Sequence, residues 1–509
     1  MTDQVNTQLF SHRYEILQDL GAGGIGKVYK AYDRWIKKNI AIKVLSADVV
    51  NRSSVEILKR EFLLLSQLKH PGVVAVLDFG YSELPYRVGV QSFEVSSQDM
   101  PPPEREELAV RVGVESPPEC GVPYFTMELV EGESLQETFT NLFDPNQTPA
   151  EWGRLYHLIW QICDVLEFLH LRGVVHCDLK PDNLKITDRV FRPKILDFGL
   201  SEKMGSKRGK ETKGTLPYIA PEMFKEEPLD ERTDLYSLGI VLYELVTSKL
   251  PFFFDDPVKI ISAHLEQQPE PPAALNPHLP PSLNQLILKL LEKSPADRPD
   301  NATVVKGMIE SGLKRDFQQM EQMDFSQEKT SLAHLYSGSL VGREKESTQL
   351  DGYLKRMVSS QGGCAYLSGE QGVGKTFLLQ NLKVKSQLQG VIYVDSNCLE
   401  SQTLAYQPLI EILRKLEPYV ENRCPDHVVF NLRDIFKGPG VASSTSSETQ
   451  ALFQQKIYQL LLEISSSLPL VIIVENLQWA DTYTLRLLKH FQTQVEKGKI
   501  FLCCSWREE

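Results

Sequence analysis

The spacing of hydrophobic positions changes twice along the chain. Tyr14–Leu20, Lys27–Tyr32 and Asn39–Leu45 are short β-like runs bounded by glycine or charge, and they predict three strands. Over Ser54–Leu68, Ile57, Phe62, Leu65 and Leu68 fall near one face, which predicts a helix. Val73–Phe79 predicts a further strand. From Trp152 to about Leu313 the pattern is helical, with Leu155, Ile159, Ile162, Leu166 and Leu169 in one period. Leu235–Leu245 is apolar almost all round, as expected of a helix buried on every side. Gly312 reads as the stop of the last helix. Beyond Leu340 strand-like runs return at Cys364–Gly369, Val391–Asp395, Pro469–Val474 and Ile500–Ser505, with helical stretches between them. That alternation predicts a parallel α/β sheet.

Two stretches break the pattern. Residues 84–122 hold six prolines, including Pro101-Pro102-Pro103, with many Glu and Ser. They also hold RVGVQS (Arg87–Ser92) and RVGVES (Arg111–Ser116), 24 residues apart. This composition predicts an exposed, partly disordered insertion, with a small duplication or a pair of strands rather than a solenoid. The polar run Lys314–Lys329 reads as a connector. The expected organisation is a tail 1–13, a first unit 14–312 with the insertion 84–122, a linker 313–338 and a second unit 339–509.

Composition narrows the function classes. With 509 residues, 42% of them hydrophobic and 24% charged, the chain is long enough for several cores and is not wholly disordered. The net charge of −12 argues against a generic nucleic-acid or anionic-membrane binder. Eight cysteines, none spaced as CxxC, fit a reduced compartment, and a cytoplasmic location is expected. The longest apolar stretches, such as Leu470–Val474, are too short to span a bilayer. The N-terminus lacks the basic start and apolar block of a secretory signal.

Gly21-Ala22-Gly23-Gly24-Ile25-Gly26, followed by Val28, fits G-x-G-x-x-G. Glycines let backbone amides approach phosphates without an intervening Cβ. Taken alone, the motif also suits a glycine-rich hairpin without function; a dinucleotide fold would need a helix directly after it, and a strand pattern follows. Lys43, with Ala41 on the same run, is costly inside an apolar strand unless its ammonium meets an anion or snorkels to water. Glu61 on the following helix is a candidate partner. Asp178, Lys180 and Asn183 lie in one loop, and Asp197-Phe198-Gly199 in another, 19 residues from Asp178 to Asp197. Asp and Asn oxygens suit hard divalent cations, and a second Asp can accept a hydroxyl proton.

The joint order of glycine loop, strand Lys, helix Glu, Asp-x-Lys-x-x-Asn and Asp-Phe-Gly resembles the eukaryotic-type (Hanks-type) Ser/Thr protein kinase family. Ala220-Pro221-Glu222, Asp234 in DLYSLG and Arg298 in ADRP extend the resemblance over about residues 14–312. It implies an α+β bilobal fold with a β-rich N-lobe and a helical C-lobe. It also implies that Gly21–Gly26 and Val28 cover ATP, that Lys43, held by Glu61, binds its α/β-phosphates, and that Asp197 and Asn183 hold Mg²⁺. Asp178 would take the proton of a protein Ser/Thr hydroxyl and Lys180 would neutralise the γ-phosphate. Met127 resembles the gatekeeper and Glu128–Val130 the adenine-binding hinge. Glu222 and Arg298 resemble a structural ion pair, and Asp234 the brace of the catalytic loop. Cys177 stands where the family often has an Arg that pairs with a phosphorylated activation loop. A thiol makes no bidentate contact, so phosphorylation at Ser201, Ser206 or Thr212 should matter less, and Thr215 is expected to be structural. The basic run Lys203, Lys207, Arg208, Lys210 and Lys213 reads as a solvated loop or a face for an acidic partner.

Gly369-Glu370-Gln371-Gly372-Val373-Gly374-Lys375-Thr376 fits G-x-x-x-x-G-K-[ST] between a strand and an apolar helix pattern. Lys375 would supply charge to a phosphate and Thr376 a Mg²⁺-binding hydroxyl. Glu475 ends the apolar run 469–474 and is a candidate metal ligand through water. With Val341–Glu344, these residues resemble the signal-transduction (STAND-type) AAA-like ATPases over about 339–509. The resemblance implies an α/β P-loop domain that ends short of the family's usual sensor and lid regions. Asn476 stands where a second acid is usual, and an amide is no general base. The module is therefore expected to bind ATP, hydrolyse it slowly and act as a regulatory switch or self-association platform. Asp481 reads as a helix cap rather than a substitute base. The competing reading is a pseudokinase-like scaffold whose output is nucleotide-dependent assembly.

Overall fold

A computed structural model of the chain describes residues 9–10, 13–22, 26–46, 51–82, 121–142, 149–187, 192–206, 215–317, 342–400, 405–437 and 447–508. The paired RVGV segments, nearly all of the 84–122 insertion, most of the linker, and Gly23, Gly24, Ile25 and Thr212 lie outside the described residues.

Strands β1 (Leu9–Phe10), β2 (Tyr14–Ala22), β3 (Gly26–Asp33), β4 (Lys38–Leu45), β5 (Val76–Tyr81) and β6 (Pro123–Glu128) form one antiparallel sheet in the order β1-β2-β3-β4-β6-β5. Lys43 is paired with Val28 on β3 and Phe125 on β6, and Ala41 with Met127. Because side chains alternate in a strand, Val28, Ala41, Lys43, Phe125 and Met127 share one face. Gly26 is fixed by contact: a Cβ there would sit 2.4 Å from the Val44 carbonyl oxygen. The expected strand from Val73 begins later. Val73 makes only an isolated bridge to Ile195, and regular pairing starts at Val76.

The helix Arg52–Gln67 opens with a reciprocal cap between Asn51 and Ser54, which satisfies two otherwise orphaned backbone donors. Leu58, Glu61, Phe62 and Leu65 are its buried stripe, and Phe62 packs against Phe79 and Phe125 of the sheet. Glu61 thus enters an apolar face because it sits one turn from two core residues.

The helical lobe carries short strands at its upper edge: β7 (Gly132–Ser134), β8 (Val174–Val175), β9 (Leu184–Thr187), β10 (Arg192–Ile195) and β11 (Glu202–Lys203). Its centre is the helix Glu231–Thr247, buried from Thr233 to Tyr243 on all sides. The Asp230 carboxylate accepts from the Arg232 amide at its start, and Ser248 closes it in the left-handed region at φ 56°. Gly312 does not stop the last helix, which runs Ala302–Asp316. A Cβ at Gly312 would lie 2.9 Å from that of Ser282, so this glycine permits close helix approach instead of ending a turn.

In the C-terminal unit β12 (Gly363–Leu367), β13 (Ile392–Asn397), β14 (Leu470–Glu475) and β15 (Ile500–Ser505) form a parallel sheet in the order β12-β15-β14-β13. β14 and β15 are buried along almost their whole length, as strands covered on both faces should be.

Glu222 and Arg298 meet in the helical lobe through two 2.8 Å bonds, and Arg298 also donates to the carbonyls of Arg232, Glu292 and Lys293. Both side chains are essentially inaccessible. Removing one partner leaves the other charge buried, which costs about 3–5 kcal/mol. Glu222→Ala should therefore lower the unfolding midpoint of the helical lobe, read by near-UV circular dichroism; an unchanged midpoint would refute a structural role.

Candidate active site

The register of β3, β4 and β6 brings Lys43 over the inner end of the helix Arg52–Gln67. Its ammonium donates to both Glu61 oxygens at 2.7 and 2.9 Å and to Asp197 Oδ1 at 2.7 Å. Burial alone would lower the Lys43 pKa, but the two carboxylates outweigh it and hold the amine firmly protonated. Burial likewise disfavours the Asp197 charge, yet Lys43 and the Gly199 amide keep that carboxyl below its ordinary value. Asp197 adopts a left-handed backbone at φ 56°. Phe198 beside it is buried against His176, with ring centroids 4.8 Å apart. The snorkelling alternative for Lys43 fails, since the side chain is 4% exposed.

A cavity of about 230 Å³ lies between the lobes. Of the expected ATP-contacting residues, Gly21, Val28, Ala41, Lys43, Met127, Glu128 and Val130 line it, as do Glu61, Asn183 and Asp197. Ala22 and Gly26 are nearby in the sheet but not in the lining. Leu20, Val74 and Leu196 also line it and were missed. Leu20 falls at a break in register between Asp19 and Gly21, which defeats simple strand alternation, and Leu196 depends on how the lobes close. Lys194 was missed too. It pairs with Glu128, whose carboxylate also accepts from the Ala75 amide.

Asp178 does not line this cavity but borders it. Its Oδ2 accepts from the Asn183 side-chain amide at 3.1 Å and lies 3.1 Å from Lys180 Nζ. Lys180 also donates to Thr215 Oγ1 at 2.9 Å, and the Thr215 amide lies 3.3 Å from Asp178 Oδ1. The expected structural position of Thr215 beside Asp178 is what the chain adopts. Asp234 braces the loop from below, accepting from the His176 and Cys177 amides at 2.8 and 2.9 Å and contacting His170 at 2.8 Å. Cys177 is buried, with a left-handed backbone at φ 64°, so its thiol is shielded from solvent oxidants.

The second constellation lies along the carboxyl edge of the parallel sheet. Gly369, Gly372 and Gly374 have φ of 148°, 85° and 95°, which a side chain would strain. The helix Lys375–Leu388 begins directly after this loop, and helix N-termini favour anions. The Lys375 ammonium donates to the Gly369 and Glu370 carbonyls at 2.6 and 2.8 Å. Glu475 ends β14, and burial, then Asp395, raises its pKa. Asn476 has φ 58° and donates to Asn397 Oδ1 at 2.7 Å. Asp481 caps the next helix, accepting from the Tyr483 and Thr484 amides.

Comparison with known proteins agrees with this geometry. The protein kinase domain family matches residues 14–308. The chain belongs to the protein kinase family. The AAA ATPase domain family matches residues 339–503. A probable serine/threonine-protein kinase of Clostridium perfringens is 33% identical over 313 residues, covering 61% of this chain and 39% of the relative. Serine/threonine-protein kinase pkn3 of Myxococcus xanthus is 30% identical over 323 residues, covering 61% and 52%. Serine/threonine-protein kinase PknB of Mycolicibacterium smegmatis is 31% identical over 305 residues, covering 59% and 43%. The chain thus spans about half or less of the length of these curated relatives. Among the described residues no helix is long and apolar enough to cross a membrane.

Glu61→Gln keeps the shape of the Lys43 contact but removes its charge. A hydrogen bond to a charged group is worth about 1.5–3 kcal/mol, so any phosphotransfer by the chain should fall about 10- to 100-fold at saturating ATP. Equal rates in a radiolabel assay would show that the pair does not position Lys43.

Proposed function

We propose that the chain is a serine/threonine-protein kinase that moves the γ-phosphate of ATP to protein hydroxyls, with a second, regulatory ATP site. The observation that carries this reading is the Lys43 ammonium held between Glu61 and Asp197 at the wall of an interlobe cavity. A pseudokinase-like scaffold would not need all three charges to converge.

In this reading Lys43 binds the α/β-phosphates and the residues from Met127 to Val130 hold the adenine. Asp197, kept anionic, and the Asn183 amide oxygen suit a hard cation. Magnesium bound there would neutralise charge on the transferred phosphoryl group. Asp178 orients the acceptor hydroxyl and takes its proton. Lys180, 3.1 Å from Asp178, offsets charge developing on the γ-phosphate. Thr215 tethers the activation segment to this pair. No phosphorylated residue is needed for that tether, consistent with Cys177 in place of an arginine.

The Gly369–Thr376 loop would bind a second ATP, with Glu475 holding its metal through water. Asn476 supplies no base, so turnover there is slow, and the module works as a switch or self-association platform. The proposed boundaries are a kinase unit over 14–312 and an ATPase unit over 339–509. Protein substrates bearing Ser or Thr are the partners proposed, and a cytoplasmic location fits cysteines that are sparse and nowhere spaced as CxxC.

Asp178→Asn should lower phosphotransfer by about 10²–10⁴-fold, the usual weight of a general base, while ATP binding persists. A wild type that labels neither a protein substrate nor itself, yet binds ATP, would favour the scaffold. Asn476→Asp should raise ATP turnover measured in an Asp178→Asn background; no rise would place the missing base elsewhere.

A further inference from the structure

The helix Lys375–Leu388 has its N-terminus at the second phosphate loop and its C-terminal half against the kinase N-lobe. Among the described strands β5 is an edge of the N-lobe sheet, and an edge strand presents unpaired backbone groups. Gln387 meets this edge: its carbonyl oxygen accepts from the Phe79 amide at 3.2 Å, and its amide donates to Asp78 Oδ1 at 2.9 Å. Lys383 pairs with the same Asp78 at 2.6 Å. On its other side Asp78 meets Arg13 at 2.8 Å, and Arg13 forks onto Asp33 and lies over Trp35. Burial would push the Asp78 carboxyl up, but Lys383 and Arg13 hold it well below the ordinary range. Val384 and Leu388 pack on the apolar core of the kinase unit.

The helix also reaches the element that carries Glu61. Lys69, just beyond the helix Arg52–Gln67, donates to Gln380 at 2.6 Å and lies over the Phe377 ring. One fourteen-residue helix therefore starts at Lys375, whose ammonium holds the loop carbonyls, meets Lys69 beside the Glu61 helix from its first half, and grips β5 from its last turns. Arriving phosphates would draw Lys375 away from those carbonyls, changing the contacts at one end of this lever.

We propose that the helix Lys375–Leu388 is an intramolecular coupling element. Nucleotide at the second site strengthens its grip on Asp78, Phe79 and Lys69, and that grip holds the Glu61 helix where Lys43 is paired, so the second site raises phosphotransfer at the first. This rests on the reading of Gly369–Thr376 as a nucleotide site. Such coupling requires differential contact in two states, which the Lys375 end and the Lys383–Gln387 end supply.

The test uses the full chain as wild type, Lys375→Ala, Lys383→Glu and the double variant, with Gln387→Ala as a milder break. Phosphotransfer to a generic protein substrate is measured with saturating radiolabelled ATP. A fluorescent ATP analogue counts nucleotides per chain. Hydrogen exchange over residues 52–67 is read with both sites exposed to excess non-hydrolysable ATP. We expect each single variant at 375 or 383 to slow transfer about 5-fold or more, the low end of allosteric coupling. The double variant should be no slower than either. Nucleotide-dependent protection of 52–67 should be stronger in wild type than in Lys375→Ala, and that difference should vanish when Lys383→Glu is present. Multiplying rate effects, or an unchanged protection difference in the folded Lys383→Glu and Gln387→Ala proteins, would overturn the coupling. One nucleotide per wild-type chain would instead remove the second site itself, and the coupling with it.

Discussion

A lysine ammonium buried between two carboxylates organises the kinase unit. Lys43 is costly where the β4 pattern places it, and Glu61 is equally costly on an otherwise apolar helix stripe. Each is tolerable only because the other is within 2.7 Å, with Asp197 closing the set. The requirement couples three distant stretches: a strand of the N-lobe, the helix after it, and the loop after β10. Lobe closure, helix position and loop conformation are thereby bound to one electrostatic condition, and the cavity between the lobes takes its shape from it.

The loop that carries Asp178 is fixed by a second buried carboxylate. Asp234 sits in the inaccessible helix Glu231–Thr247 and satisfies the amides of His176 and Cys177. Those two bonds hold the left-handed turn at Cys177, which presents Asp178 to the Asn183 and Lys180 side chains. Cys177 precedes Asp178, and the Lys180–Thr215–Asp178 contacts tie the stretch that begins at Thr215 to this loop. The same logic places Glu222 and Arg298 under that segment as a fully bonded pair.

The C-terminal unit builds its glycine loop on different physics. Its loop relies on positive-φ glycines and a helix N-terminus rather than on converging carboxylates. Asn476 fits this setting as a left-handed residue that anchors to Asn397, which explains an amide where an acid is usual. The loop's helix is also the one that covers the exposed edge of the N-lobe sheet. Covering an edge strand and closing a glycine-rich loop are separate requirements, and here one helix meets both.

The order of elements, the two glycine loops, and the identities of Lys43, Glu61, Asp178, Asn183, Asp197 and Lys375 were legible in the sequence. They rest on local period, on glycine's backbone freedom, and on the cost of a charge inside an apolar run. Tertiary structure alone decided what depends on distant segments meeting. Val73 lost its place in the strand because it bridges to Ile195, and Gly312 proved a contact between helices rather than a stop. Lys194 joined the hinge only through folding of β10 beneath it. Asp78, Lys383 and Gln387 carry no local signal: each reads as an ordinary polar residue until β5 falls at the edge of the described sheet and a helix some 300 residues later supplies the charge and the amide that satisfy it.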